Sequence, residues 1–276
     1  MSNLEKALRI HQESVVIDAH LDLADELLYR YMNGEEDVIR RYYLDNWKAA
    51  GVNLIVSAIF IDNLFLPEMA LKNALKQIEL LHKDIDLCEG EVVLVKSMKQ
   101  LDETIASGKI GVMMSLEGLE PIGNDVGMLR IFYELGVRAA GLVWSRRNYA
   151  GDGSFFQPRE EGRKGGLTDF GVRAIYEMER LGMLVDVSHL NDEGFWDVVN
   201  FTRKPFIASH SNARGLMPIL RNLDDDQLKA VADSGGVIGI NGMKKFLVEN
   251  PDTQDAVEGI CEHIEYMISK VGTDHV

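Results

Sequence analysis

The chain has 276 residues, of which 29 are basic and 44 acidic, so its formal net charge is −15. Apolar residues make up 46% of the sequence, which is enough for a large buried core and excludes a disordered or low-complexity chain. The negative charge argues against a nucleic-acid partner and against anionic membranes, because both require clustered Lys and Arg. The two cysteines, Cys88 and Cys261, lie far apart, and their spacing predicts no disulfide framework.

Residues 1–13 are polar and helix-like, without the basic start and apolar run of a secretory signal peptide. No run approaches the ~18 consecutive apolar residues that a transmembrane helix needs. We therefore expect a soluble, cytoplasmic protein with no membrane partner.

Short apolar runs alternate with segments of helical period along the whole chain. Seven runs are predicted strands, and an eighth begins at the last residues: 15–18, 52–60, 109–116, 138–144, 183–187, 205–208, 235–240 and 274–276. Helices are predicted between them, most clearly over 67–85, 168–181, 224–232 and 255–270. Runs that are apolar on both sides are typical of parallel strands covered on both faces.

This alternation predicts one α/β domain over residues 1–276, a (β/α)8 TIM-like barrel in which the chain ends at the start of strand 8. A doubly wound sheet is the weaker alternative, because no GxGxxG follows the first strand and no GxxxxGK[ST] occurs. A Gly-rich, charged loop over 151–166 is expected near the mouth of the barrel.

Polar side chains close four of the predicted strands, at the end where a barrel places its active site. His20 and Asp22 are two residues apart, so an extended backbone points both the same way. Glu117 follows the third strand, and His189 and His210 follow the fifth and sixth. Each residue alone also fits a capping or solvated position, but together they predict a metal site at one end of the barrel.

Imidazole nitrogens combined with carboxylates suit Zn²⁺ and, less commonly, Mn²⁺, Fe²⁺ or Co²⁺. Five ligands exceed one tetrahedral site, so we expect two metal ions that share a carboxylate. Two ions roughly 3.5 Å apart lower the pKa of a bridging water and polarise a carbonyl oxygen, which is hydrolytic chemistry.

Five segments carry a family pattern: VIDAHLD at 16–22, SLEG at 115–118, YELGVR at 133–138, DVSH at 186–189 and ASHSNA at 208–213. With these segments in family order, the chain resembles the metal-dependent dipeptidases of the membrane (renal) dipeptidase type, peptidase family M19, among the amidohydrolase-like barrels. The resemblance implies a zinc-dependent dipeptidase that cleaves a dipeptide with a metal-bridging hydroxide. It also implies that His20 and Asp22 bind one zinc ion, that His189 and His210 bind the other, and that Glu117 bridges them.

The resemblance also assigns contacts to the dipeptide. Arg221 lies where the family binds the terminal carboxylate, a role that suits the bidentate fork of a guanidinium. The alternative is a surface Arg paired with one of the acidic residues 224–226. Phe246 falls where the family has an aromatic residue near the substrate.

One departure from the family pattern concerns the fourth strand. Trp144 stands where the family often has a His that contacts the scissile carbonyl oxygen. An indole N–H can donate a hydrogen bond but cannot transfer a proton. Stabilisation of the transition state would then fall to the metal ions or to Arg146, Arg147 or Asn148, while a purely structural Trp144 is the alternative.

A second departure concerns the family's general acid/base, an Asp on strand 8. We expect this Asp beyond Val276, in a sequence that is truncated here. Asp274 is the weaker candidate, because it lies at the beginning of the strand and not at its end.

Two other functions remain open from the sequence. One is a different amidohydrolase-like activity, on an N-acyl amino acid, a cyclic amide or a lactone. The other is a catalytically inactive relative that binds metal and ligand. Members of the family are often dimers, so a homodimer is an expected partner state.

Overall fold

The computed structural model describes residues 2–156 and 162–276. The chain divides into two compact units. The first contains Met1–Leu116 and Ile131–Arg138, and the second contains Glu117–Arg130 and Ala139–Val276.

Six β-strands are present in the described residues: β1 Ile17–Leu21, β2 Leu54–Phe60, β3 Val92–Leu94, β4 Ile110–Glu117, β5 Val137–Gly141 and β6 Leu184–Asp186. In the first unit β2 lies between β1 and β4, and β3 pairs with β4. The β1–β2, β3–β4 and β5–β6 ladders are all parallel. Nearly every residue of β2 and β4 is buried, which confirms the two-sided apolar pattern of the sequence.

Helices separate the strands, as an α/β fold requires. They are α1 Asn3–Glu13, α2 Leu23–Met32, α3 Leu44–Ala50, α4 Ala70–Leu87, α5 Met98–Ala106, α6 Met128–Leu135, α7 Asp169–Leu181, α8 Asp192–Phe201, α9 Asp225–Asp233, α10 Lys244–Leu247 and α11 Ala256–Val271. The four helices predicted from periodicity are confirmed to within a few residues. Among the described residues, no helix is both long and apolar enough to cross a membrane.

Each unit has its own apolar core. In the first unit Leu27 of α2, Ile55 of β2 and Leu81 of α4 are completely buried. In the second unit the rings of Phe195 and Phe206 meet edge to face, with centroids 6.1 Å apart. The alternating apolar positions of strands and helices therefore form the interior, as the sequence indicates.

Three expectations about strands need correction. Val92–Leu94 forms a strand that was not predicted. Residues 205–208 and 235–240 contribute isolated bridges instead of full strands, at Asp186–Ile207 and Ala208–Ile238. Pro205, which lacks an N–H, and the Gly235–Gly236 pair limit these ladders.

The last predicted strand is also different. Thr273–His275 forms a turn of 3-10 helix, following Gly272 at φ 84°. The segment nevertheless pairs with its neighbour, because the Ile238 N–H donates to the carbonyl of His275 at 2.9 Å. In the predicted loop 151–166, residues 157–161 lie outside the described part, and the remainder contains only an isolated bridge at Gly153.

The second unit contains a buried histidine in a fully defined hydrogen-bonding state. His263 of α11 has no exposed surface. Its Nδ1 accepts the Ala213 N–H at 3.0 Å, so its Nε2 donates to the Leu247 carbonyl at 3.1 Å. Burial lowers the pKa of His263, because desolvation disfavours the charged ring by more than the Leu247 carbonyl and the Glu262 charge favour it.

This histidine predicts a pH dependence of stability. A folded pKa below the ordinary ~6.5 means that the unfolded chain binds the proton first, so stability is lost as pH falls below ~6.5. The loss from this group has a limiting slope of about 1.4 kcal/mol per pH unit. In urea unfolding at pH 7.5 and pH 5.5, we expect the wild type to lose more stability than His263→Gln. An equal loss of stability in the wild type and in His263→Gln would contradict the lowered pKa of His263.

Candidate metal centre

Three of the predicted ligands converge in the second unit. Glu117 ends β4, His189 follows β6, and His210 follows the bridge at Ala208. The Glu117 Oε1 lies 2.9 Å from the His189 Nε2 and 3.5 Å from the His210 Nε2. The two Nε2 atoms are 2.9 Å apart, and all three residues are buried. The ends of two strands and one isolated bridge thus bring these three side chains together, as the sequence predicts.

The donor set and its spacing fit a metal ion. Ligand atoms bonded to one tetrahedral zinc ion at ~2.0–2.2 Å lie about 3.3 Å from each other. The two oxygen–nitrogen distances from Glu117 and the distance between the two imidazole nitrogens, 2.9–3.5 Å, bracket this value. Two imidazoles and a carboxylate also form the mixed N/O set that zinc accepts.

The backbone around His189 is strained. His189 has φ 72°, in the left-handed region that non-glycine residues rarely adopt. Such strain persists where the surrounding structure requires it, and it is concentrated at functional sites. The turn after β6 therefore holds this imidazole in a position that an ordinary turn would not give.

The other predicted metal-binding pair lies in the first unit. The His20 Nε2 is 3.4 Å from the Asp22 Oδ1, so the two side chains face the same way, as their spacing predicts. His20 is largely covered and Asp22 is mostly exposed. The Asp18 carboxylate accepts the His20 N–H at 3.2 Å, which fixes the strand end. The metal role of this pair stays a prediction.

Hydroxyl groups orient both buried imidazoles, which the sequence did not reveal. The Ser145 Oγ lies 2.8 Å from the His189 Nδ1, and the Ser209 Oγ lies 2.8 Å from the His210 Nδ1. Ser209 in turn donates its hydroxyl hydrogen to the Asp186 carboxylate. In each case the Nε2 is left facing Glu117, which is the arrangement of imidazole ligands around metal ions.

Arg221 is buried beside this cluster. Its guanidinium donates to the His210 carbonyl at 2.8 Å and to the Ser211 Oγ at 3.0 Å. Its Nε is buried and has no hydrogen-bond partner among the described residues. Burial lowers its pKa to about 10, opposed by the nearby charges of Asp186 and Glu117. The alternative of a surface Arg paired with residues 224–226 is therefore wrong.

Aromatic rings cover one side of His189. The Phe156 ring, which the sequence did not single out, lies 6.1 Å from the His189 ring and 5.3 Å from Trp144. Phe156 also lies 5.2 Å from Phe246, and Trp144 lies 5.8 Å from His189. The structure thus brings the predicted Trp144 and Phe246 together through a ring from the Gly-rich loop.

The remaining predicted contact residues have partners of their own. The side-chain amide of Asn148 makes two hydrogen bonds to the backbone. Its Nδ2 donates to the Leu142 carbonyl, and its Oδ1 accepts the Ala150 N–H. Arg146 forms a largely buried ion pair with Glu120 at 2.7 Å. These contacts favour a role in shaping the loop after β5, and a role in catalysis stays a prediction.

Arg147 pairs with Asp152 in the same loop. Burial alone would raise the pKa of the Asp152 carboxyl, but the Arg147 guanidinium and the Gly165 N–H lower it. Asp274, the weaker candidate for the general acid/base, is exposed on the terminal 3-10 turn.

The chain belongs to the membrane dipeptidase family, peptidase family M19, whose sequence model matches residues 4–276. The family expectation drawn from the five segments is thereby confirmed. Among curated relatives, an uncharacterized protein encoded in the PQQ-III 3' region of Acinetobacter calcoaceticus is 33% identical over 216 residues. The match covers 76% of this chain and 65% of that protein.

Two further similarities bear on the site. Dipeptidase aclJ of Aspergillus oryzae is 32% identical over 212 residues. The match covers 75% of this chain but only 49% of that dipeptidase. A metallopeptidase from Rhodobacter sphaeroides, solved with a phosphinate mimic of the dipeptide L-Ala-D-Ala, has a TM-score of 0.86. It is 29% identical, and the match covers 95% of this chain and 84% of that one. The α/β fold is therefore that of solved metallopeptidases.

The burial of Arg221 predicts an unusual effect on stability. A desolvated guanidinium with an unpartnered Nε costs folding free energy, so Arg221→Met should unfold at the same temperature as the wild type or at a higher one. Arg214 is the matched control, because it is paired with Asp192 at 2.7 Å. Arg214→Met should lower stability by about 1–3 kcal/mol. Calorimetry that finds equal destabilisation would contradict this interpretation.

Proposed function

We propose that the protein is a zinc-dependent dipeptidase. The observation that carries the proposal is the buried convergence of the Glu117 oxygen and the two imidazole nitrogens of His189 and His210 within 3.5 Å. Membership of the membrane dipeptidase family and the similarity to dipeptidase aclJ support the reaction class. Zn²⁺ fits the donor set best, with Mn²⁺, Fe²⁺ or Co²⁺ as alternatives.

In this proposal His189 and His210 would hold one ion and His20 and Asp22 would hold another, and Glu117 would be a ligand of both, as the resemblance implies. When bound, the metal supplies Lewis acidity and a water nucleophile at neutral pH. The residues of the chain keep the ligands fixed, because serine hydroxyls hold the Nδ1 atoms of both buried imidazoles.

Recognition of the substrate is proposed to rest on Arg221. Its guanidinium is buried and retains a donor, the Nε, with no hydrogen-bond partner in the described part of the chain. A buried donor of this kind is satisfied by a ligand that brings an anionic oxygen. The terminal carboxylate of a dipeptide supplies such an oxygen, and the aromatic side chains of Trp144, Phe156 and Phe246 supply apolar contact area.

We also propose a single barrel domain of the (β/α)8 type for residues 1–276. Hydrogen bonds beyond β6 support this architecture. The Ile207 N–H donates to the Val185 carbonyl at 2.9 Å, and the Gly239 N–H donates to the Ala208 carbonyl at 2.8 Å. The second unit therefore continues the parallel ladder through segments that are too short to be complete strands.

The activity predicts chelator-sensitive release of amino acids. With the full-length protein, we expect hydrolysis of dipeptides that is lost with a chelator and restored by zinc. Glu117→Gln should lower kcat/KM by at least about 100-fold, because it removes the charge of the only buried carboxylate in contact with both imidazoles in the described second unit. Glu193→Gln, on the exposed face of α8, is the matched control and should retain activity.

A panel of N-acyl amino acids, a cyclic amide and a lactone distinguishes the alternatives. Faster turnover of one of these would replace the dipeptidase with another amidohydrolase-like activity. Zinc binding without any turnover would indicate a catalytically inactive relative. A fully active Glu117→Gln variant would overturn the metal-centred proposal itself.

The proposed role of Arg221 predicts a specific substrate effect. Charge-assisted hydrogen bonds contribute about 1.5–3 kcal/mol, so Arg221→Met should lower kcat/KM for a dipeptide by about 10–100-fold. The wild type should discriminate by a similar factor against the same dipeptide with a C-terminal amide. The variant should treat the two substrates alike. Discrimination that persists in Arg221→Met would show that another group binds the carboxylate.

A further inference from the structure

Asp186, Ser209 and His210 form a buried chain of hydrogen-bonded side chains, and the Nε2 of His210 at its end faces Glu117. The Asp186 Oδ1 accepts the N–H groups of Ser188 and Ser209 at 2.9 and 3.0 Å. The other oxygen, Oδ2, accepts the hydroxyl of Ser209. The Oγ of Ser209 contacts the His210 Nδ1 at 2.8 Å, and all members of the chain are buried.

We propose that Asp186 is a positioning residue that sets the tautomer of His210 through Ser209. A serine hydroxyl has one hydrogen, and an ionised carboxylate can only accept. Because the hydrogen of Ser209 points to Asp186, its Oγ must accept from the His210 Nδ1–H. His210 is then protonated on Nδ1, and the lone pair of its Nε2 faces Glu117 and His189.

His189 lacks an equivalent constraint in the contacts of its serine. The Ser145 Oγ lies 2.8 Å from the His189 Nδ1, and no carboxylate contact orients this hydroxyl among the described residues. Ser145 can therefore donate to Nδ1 or accept from it. The hydrogen-bonded chain from Asp186 thus fixes the lone pair of His210 in advance, whereas no carboxylate among the described residues orients the hydroxyl that contacts His189.

The variant Asp186→Asn reverses the direction of this chain. The Asn oxygen can keep the two backbone N–H contacts of Oδ1, which places its NH₂ group at the position of Oδ2. The NH₂ group donates to the Ser209 Oγ, so the hydroxyl must donate to the His210 Nδ1. Its Nε2 then carries the hydrogen and cannot bind a metal ion. Size and burial are unchanged, so the effect is one of hydrogen direction.

The inference rests on the proposed function for metal binding through Nε2, and its test has two independent readouts. Zinc affinity is measured by competition with a chelator, and the tautomer of His210 is measured by ¹⁵N NMR on the metal-free protein. We expect Asp186→Asn to weaken zinc binding by about 10–100-fold, which is typical when the hydrogen-bond partner of a metal ligand is replaced. We also expect the proton of His210 to move from Nδ1 to Nε2. Ser145→Ala, the matched control at His189, should weaken binding less and leave His210 unchanged.

Ser209→Ala provides a second variant if Asp186→Asn does not fold, which thermal unfolding reports. It should leave His210 as a mixture of tautomers and weaken zinc binding by about 10-fold. An unchanged tautomer in Asp186→Asn, or zinc affinity within threefold of the wild type in both variants, would overturn the inference. A wild type that binds no zinc would contradict the proposed function, and the NMR readout would still decide the role of Asp186.

Discussion

The structure depends on one electrostatic constraint. The buried side chains of Glu117, His189 and His210 place a carboxylate oxygen and two imidazole nitrogens within 3.5 Å of one another. Polar groups removed from water cost folding free energy unless partners satisfy them. A divalent cation would satisfy all three groups at once. Without a cation, the contacts between Glu117 and the two imidazoles compensate only part of this cost. The strained backbone at His189 belongs to the same requirement, because it directs an imidazole toward Glu117.

The segment from Ala208 to Ala213 connects the proposed metal site to the proposed carboxylate anchor. It carries His210 and the serine that holds the Nδ1 of this ligand. The carbonyl of His210 and the hydroxyl of Ser211 fix the guanidinium of Arg221. A movement of this turn would therefore displace the proposed metal ligand His210 and the proposed carboxylate anchor Arg221 together.

The sequence predicted the parts of the site that follow from strand ends. Glu117, His189 and His210 close separate apolar runs, and parallel strands bring their carboxyl ends to one edge. Hydroxyl partners were harder to predict: Ser209 is adjacent to its histidine, but Ser145 reaches His189 from 44 residues away. Phe156 lies in a loop without periodicity, so no pattern placed it. The short ladders at 205–208 and 235–240 show that apolar runs predict position better than strand length.

The most direct test of the account is anomalous diffraction at the zinc absorption edge from crystals grown with zinc. The metal-centre proposal predicts a strong anomalous peak about 2.0–2.1 Å from the Nε2 atoms of His189 and His210, with a Glu117 oxygen at a similar distance. A second peak beside His20 and Asp22 would establish the two-metal form. The absence of a peak at the two imidazoles, with zinc bound elsewhere or not at all, would contradict the central claim.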